Sequence, residues 1–313
     1  MSIKPSVIAA LAVLIGLAFS CEGLAKPVVV VYGGGNDEFT DMFAELIEDR
    51  VDAEVMIVTS PEAVRLASAL PNIACIMIYA DHRDDLVGLP ESLPAFFLAG
   101  GGLVGMTEVC YEPSAEELSE EVFPIHGNET IRPPKRVFTY VLDENMEITE
   151  GLPESFDVLS IGTYASVDDE GTPLDVPGDQ KVVYRDSLSG VPLVVSHESE
   201  AGGRSVAIPG IMVVSNQRVD VYYGNLFLNE NFNQLLINSI EWTIGNSRYT
   251  RLEQELDEKI NEFNRIQEDL RTAAEDTKDE RRTRRIYYLL VFWAVGLVVC
   301  GLILYKLVLI PGD

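Results

Sequence analysis

Basic residues, cysteine and histidine are scarce in this sequence. Its 313 residues carry 23 lysines and arginines against 50 aspartates and glutamates, a formal charge of −27. Phosphate groups would meet a repelling field over most of such a surface, which argues against nucleic acid as a partner. The same charge suffices to keep a domain soluble, so it identifies no ligand by itself. The four cysteines, Cys21, Cys75, Cys110 and Cys300, form no C-x-x-C pair and no disulfide framework. Only three histidines, His82, His126 and His197, are present, which narrows any triad or metal argument.

What is abundant lies first at the two ends. Val7 to Ala18 is an apolar run behind Lys4, and small residues follow at Gly23 and Ala25. That is the layout of a secretory signal cleaved near Ala25, with the mature chain starting at Lys26-Pro27. Ala18-Phe19-Ser20 before Cys21 has alanine where a lipobox usually has leucine, so cleavage rather than lipidation is expected. Ile286 to Tyr305 contains no charged residue and is long enough to cross a hydrocarbon core of about 30 Å. Tyr287, Tyr288, Trp293 and Tyr305 add aromatic residues, several near its ends.

Orientation is contested by the sequence itself. Arg281, Arg282, Arg284 and Arg285 precede the span, and a positive flank belongs in the cytoplasm. Against this, Arg248 to Arg285 as one helix would be about 55 Å long, whereas a strand begins at Val28, directly after the leader. One domain is not easily both distant from and pressed against the same membrane. Cleavage of the leader removes the conflict, so the expected protein is single-pass in the cell membrane with an extracytoplasmic domain.

Between the ends, Val28 to Tyr32 is a β-branched strand with a Gly33-Gly34-Gly35 turn, and Phe39, Met42, Phe43 and Leu46 follow at helical spacing. The unit recurs at Glu54 to Val58 with Pro61 to Leu70, and at Ile73 to Tyr79 with a helix ending near Leu98. A fourth strand is expected over Gly102 to Met106. Apolar strands alternating with helices predict an α/β domain with a doubly wound, mostly parallel sheet covered on both faces. After Arg136 the runs shorten to Arg136–Leu142, Lys181–Tyr184 and Pro192–Ser196, then a hairpin connection over Glu198–Gly203 leads into Arg204–Ile208. Asn231 to Ile244 reads as a closing helix ended by Gly245-Asn246. From Tyr249 the spacing turns heptad: Leu252, Leu256, Phe263, Ile266, Leu270 and Ala273 take a and d positions, interrupted by Lys259. A coiled coil over 249–273 is expected, giving a homo-oligomer. The expected segments are signal 1–25, domain 26–247, stalk 248–285, transmembrane helix 286–310 and tail 311–313.

Several elements of the middle are similar to one family. Phe96-Phe97-Leu98-Ala99-Gly100-Gly101-Gly102-Leu103-Val104-Gly105-Met106 resembles the helix, Gly-rich turn and central strand of trehalose-utilisation (ThuA-like) proteins. These belong to the class I glutamine amidotransferase-like superfamily. Ile148-Thr149-Glu150-Gly151-Leu152-Pro153 resembles their I-T-x-G-L-P element, Gly203-Arg204-Ser205-Val206 their G-K/R-G-R-V strand, and Leu235 to Trp242 their closing helix. The resemblance implies a flavodoxin-like, class I amidotransferase-like fold over roughly 28–246. It also implies a sharp turn after Met106, where the amidotransferases place a nucleophilic cysteine and many sugar-related members a histidine. This chain has Thr107 there and departs from both patterns.

A threonine hydroxyl is a poor nucleophile without a base, and Cys110 is three residues too late to replace it. His197-Glu198 is adjacent, unlike the spaced H-x-E of the amidotransferases, and strand alternation sends the two side chains to opposite faces. Thr107, Glu108 and His197 are therefore weak catalytic candidates, and glutaminase activity is not expected. Asp81, His82 and His197 suit a divalent metal by type but show no ligand spacing, so no metal and no cofactor is expected. If a ligand binds, open α/β sheets place it beyond the C-terminal strand ends, beside Gly34, Gly35, Asn36, Asp37, Asp81, His82, Thr107 and Glu108. The turn Gly33 to Asp37 lacks both the GxGxxG and the GxxxxGK[ST] spacing. Asn128-Glu129-Thr130 is an N-glycosylation sequon, meaningful outside the cytoplasm. The expected function is a membrane-anchored binding or assembly module without the nucleophilic cysteine. The alternatives are a ThuA-like carbohydrate-processing enzyme at the cell surface, or an accessory subunit of a membrane transport or glycan-transfer complex with a membrane-protein partner.

Overall fold

The computed structural model describes residues 26–34, 37–80, 86, 89, 93–111, 122–123, 127–133, 137–174, 176, 180–211, 229–275 and 289–300. Two compact units divide at Glu253/Gln254.

The first unit is built on β-branched and aliphatic runs. β1 (Val28–Tyr32) and β3 (Ile73–Ala80) are buried at every residue, which requires a covered face on each side. α1 (Asp37–Arg50) joins β1 to β2 (Glu54–Val58), and α2 (Pro61–Ser68) joins β2 to β3. α2 starts where the sequence marks it: the Ser60 side chain accepts from the Ala63 N–H at 3.2 Å, and Pro61 occupies the first turn, where its missing N–H costs nothing. α3 (Leu93–Leu98) leads into β4 (Gly102–Thr107). Eight further strands follow: β5 (Glu129–Ile131), β6 (Val137–Leu142), β7 (Ser155–Leu159), β8 (Gly162–Ala165), β9 (Gln180–Asp186), β10 (Pro192–Glu198), β11 (Arg204–Ile208) and β12 (Gly210–Ile211). α4 (Glu230–Gly245), capped by the Asn229 side chain, and α5 (Arg248–Glu275) close the described chain before residues 289–300.

The main sheet has nine strands in the order β2-β1-β3-β4-β11-β10-β9-β6-β7. β2, β1, β3, β4 and β11 run parallel. From β11 onward every pairing is antiparallel, so the sheet is mixed and less parallel than the sequence suggests. The reason lies in the connections. β9–β10 and β10–β11 are joined by turns too short for the crossover that parallel neighbours need. Helices lie on both faces. Phe43 and Ile47 of α1 pack with Leu235, Leu236 and Ile240 of α4 on one side, and Val64 of α2 with Phe96 and Phe97 of α3 on the other. A second sheet, β12-β8-β5, is assembled from strands too short to show periodicity in the sequence.

The expected boundary at 247/248 moves. Ser247 caps α5, with its hydroxyl oxygen accepting from the Thr250 N–H at 3.3 Å, and Tyr249 is buried. The first turn of α5 therefore belongs to the domain. In the second unit, the rings of Phe263 and Phe292 meet at 5.5 Å. Residues 289–300 are helical and expose Leu289, Leu290, Trp293, Leu297 and Val298. Among the described residues no helix is long and apolar enough to cross a membrane. Of the expected span 286–310, only 289–300 is described; the leader 1–25 and the tail 311–313 lie outside the described residues.

The core also sets a pH limit. Burial pushes the Cys75 thiol up to about 12, opposed only in part by the Thr243 hydroxyl, which donates to Sγ at 3.2 Å. Burial, with the Asp186 carboxylate second, likewise raises the Tyr140 phenol. Both groups stay neutral in the fold and ionise more easily once unfolded, so stability is complete below about pH 9 and declines as pH rises further. The expected slope is about 1.4 kcal/mol per pH unit for each such group. Denaturant midpoints measured from pH 7 to 11 should fall above pH 9, and less steeply in Cys75→Ala. A flat profile would contradict the burial.

Candidate functional site

β4 delivers Thr107 to the C-terminal end of the parallel strands, beside Ala80 at the end of β3. Its φ is +63°, and Thr107 is the one non-glycine residue with positive φ among the described residues. For a β-branched side chain this conformation is strained, a cost of order 1–3 kcal/mol that surrounding structure must hold in place. The restraint is visible. Thr107 is 2% exposed, and its hydroxyl donates to the Gly210 carbonyl at 3.1 Å.

The small sheet supplies that carbonyl. Gly210 follows Pro209 at the end of β11 and opens β12, which pairs with β8 through Gly210↔Thr163 and Ile211↔Gly162. β8 pairs in turn with β5. Tyr111 stacks on Tyr164 of β8 at 4.5 Å, and a Cβ at Gly127 would come within 2.5 Å of the Tyr164 Cβ, so glycine is needed for this fit. Phe123 lies over Gly105, where a Cβ would stand 2.6 Å from the ring. Ser205 donates to the Val122 carbonyl at 2.5 Å and holds that segment down. The elbow at Thr107 is thus tied to the chain's own backbone at Gly210.

A single 3-10 turn, Glu108–Cys110, follows. Cys110 is buried, with Sγ 3.8 Å from the Gly105 carbonyl. No protein-family model matches this chain, and no curated protein matches it.

His197 is not brought to Thr107. It pairs with Ser205, and Ser205 pairs with Leu103, four residues before Thr107 along β4. At about 3.3 Å per residue that is about 13 Å of strand, before the sideways step across β11. The His197 ring instead lies 5.5 Å from Phe97 of α3, at the opposite end of the sheet. The alternation expected for His197-Glu198 holds: His197 is half-buried, while Glu198 is exposed and pairs with Arg204 at 3.3 Å. The Thr107/His197 pair is therefore not brought together, and Asp81 and His82 lie outside the described residues.

Of the expected ligand positions, Gly34 takes φ +58°, the left-handed turn a glycine permits, at the end of β1. Asp37 begins α1. Gly35, Asn36, Asp81 and His82 lie outside the described residues, as does His126, and Glu108 is described only by its backbone. Among the described residues no group of three or more His, Cys, Asp or Glu side chains is placed to hold a metal ion. Asn128 is exposed, accepts from the Val167 N–H at 3.1 Å and donates to its carbonyl at 3.4 Å. Sequence reasoning missed Gly210 as the partner of Thr107. The two are 103 residues apart, and no local pattern links them.

Proposed function

We propose that this is a membrane-anchored, extracytoplasmic domain of the class I amidotransferase-like kind, close to the ThuA-like branch, that has lost its nucleophile and serves as a binding or assembly module. The parallel order β2-β1-β3-β4-β11 supports the flavodoxin-like reading, since it has the form 2-1-3-4-5 of that doubly wound class. The antiparallel strands β10, β9, β6 and β7 are additions to that frame.

One observation carries the loss of chemistry. The residue at the strained elbow is a threonine whose hydroxyl proton is committed to the Gly210 carbonyl. A hydroxyl becomes a nucleophile only when a base takes its proton, and here a backbone carbonyl, which is no base, holds it. The histidine that resembled a partner lies at the other end of the sheet. The elbow geometry survives while its chemistry is absent, as in a fold retained for binding. The exposed apolar side chains of 289–300 support the anchor, and the continuous helix α5 supports a stalk that associates through Leu252, Leu256 and Ile266. Insertion of 286–305 into a bilayer requires Phe292 to part from Phe263, because Phe263 lies between Glu262 and Asn264, with Arg265 next, and cannot follow it into hydrocarbon.

The full chain purified in mild detergent tests this. It should release no ammonia from glutamine, and Thr107→Cys should not gain that activity, since a thiol at the elbow would still lack its histidine. A cysteine introduced at Leu256 should cross-link between copies, and a defined membrane protein should co-elute. Glutamine-dependent ammonia release by the native chain, lost in Thr107→Ala, would overturn the reading.

A further inference from the structure

The sequence contains Ala-Gly-Gly twice, at Ala99-Gly100-Gly101 and Ala201-Gly202-Gly203. The two copies precede β4 and β11, which are parallel neighbours paired from Arg204↔Gly102 to Ile208↔Met106. In both copies the first glycine is left-handed, with φ +89° at Gly100 and +86° at Gly202. The guanidinium of Arg251, in the first turn of α5, lies across both turns. Nη1 donates to the Ala201 carbonyl at 2.8 Å and Nη2 to the Ala99 carbonyl at 3.4 Å. A Cβ at Gly100 would stand 1.7 Å from Nη2, so glycine there opens a slot for the guanidinium, while one at Gly202 would be in ordinary contact at 3.4 Å from Nη1. Asn246, just before α5, donates to the Gly202 carbonyl at 3.3 Å and to Glu198 at 3.0 Å, closing the slot from the side.

The opposite ends of the same two strands are tied as well, by the Thr107 hydroxyl on the Gly210 carbonyl. β4 and β11 thus form a ladder fastened at one end by a residue of the stalk helix and at the other by the elbow. We propose that Arg251 is a clamp coupling α5 to β4 and β11, so that order in the first turn of the helix and order at the Thr107 elbow reinforce each other. A partner or ligand that tightens or loosens the elbow is then felt at the base of α5, and the reverse, because coupling between two sites is reciprocal. The fork of an arginine suits this role, since its planar guanidinium offers a separate nitrogen to each carbonyl in fixed geometry, where a lysine offers a single nitrogen. The ladder is independent of the membrane and nucleophile readings and can fail while they hold.

Hydrogen exchange on the full chain in detergent tests the clamp. In Arg251→Ala, exchange at 99–102, 201–203 and 247–254 should quicken about tenfold, the loss of a charged donor shared by two acceptors. Exchange at Thr107–Cys110 and Gly210–Ile211 should quicken about threefold, within the usual range of coupling. Arg251→Lys keeps the charge and protects against a simple folding failure, yet should quicken the elbow too. Gly100→Ala, which expels the guanidinium without altering Arg251, should reproduce the pattern. Thr107→Val should in return quicken 201–203 and 247–254. Quickening confined to the neighbourhood of each substitution, with the far end of the ladder unchanged, would overturn the proposal.

Discussion

Ending the chain after Glu275 should move the protein from the membrane pellet to the soluble fraction, with its mature N-terminus at Lys26. The 20 residues from Ile286 to Tyr305 include no charge, and as a helix they extend about 30 Å, the thickness of a hydrocarbon core. Within them Leu290 and Val298 are more than 60% exposed and Leu289, Trp293 and Leu297 more than 50%, a surface unsuited to water. By contrast α5 carries a charged residue on every turn, and its apolar residues are limited to a narrow seam that includes Leu252, Leu256 and Ile266. Fractionation followed by an alkaline wash, with N-terminal sequencing of both proteins, makes the measurement. The full chain should resist the wash and the shortened one should need none. A shortened protein that starts at Lys26 and still sediments with membranes would overturn the anchor.

Gly203→Ala should be among the most damaging single-methyl changes available in the domain. A Cβ there would lie 2.1 Å from the Phe97 carbonyl oxygen and 3.0 Å from its carbon, and both are backbone atoms. That oxygen already accepts from the Gly100 N–H at 2.8 Å, so α3 cannot retreat without breaking its own end. Ordinary overpacking costs about 1–3 kcal/mol, and a clash against fixed backbone belongs at or above the top of that range. For a domain of this size the melting temperature should drop by roughly 10 °C. Gly190→Ala is the control: its φ is +72°, but a Cβ there would meet nothing within 4 Å, so only the left-handed strain of about 1 kcal/mol is added. Thermal unfolding of the two variants should separate them clearly, and equal melting temperatures would refute the packing argument.

The parallel half of the sheet was legible because its strands are buried on both faces, which leaves continuous apolar runs such as Ile73–Ala80. Val28–Tyr32 and Glu54–Val58 match the expected bounds, and the hairpin into Arg204–Ile208 is where the sequence put it. Pairing was not legible. Nothing local says that β11 enters between β4 and β10, and that insertion decides where His197 ends up. β5, β8 and β12 are two to four residues long, below the length at which alternation can be read. At the site, the departure at Thr107 was legible as a residue type, but its left-handed backbone and its bond to Gly210 were not. The repeated Ala-Gly-Gly was a readable signal for the Arg251 slot, disguised by the third glycine that follows the first copy.

The position of β11 also governs the order in which this chain can fold. β2, β1, β3 and β4 are neighbours in both sequence and space, so they can pair as soon as they are made. The outer side of β4 must then wait, with its hydrogen-bonding groups unpaired, while β5 through β10 are synthesised. Only the arrival of Arg204–Ile208 closes that edge, and α4, which covers one face of the sheet, comes later still. Long-range closure of this kind is slow, and the waiting edge is a template for pairing with another chain. A protein threaded through a membrane from its N-terminus would emerge in that vulnerable half-built state. Its rate of escape from aggregation is set by how soon the last strand of the parallel set follows the first.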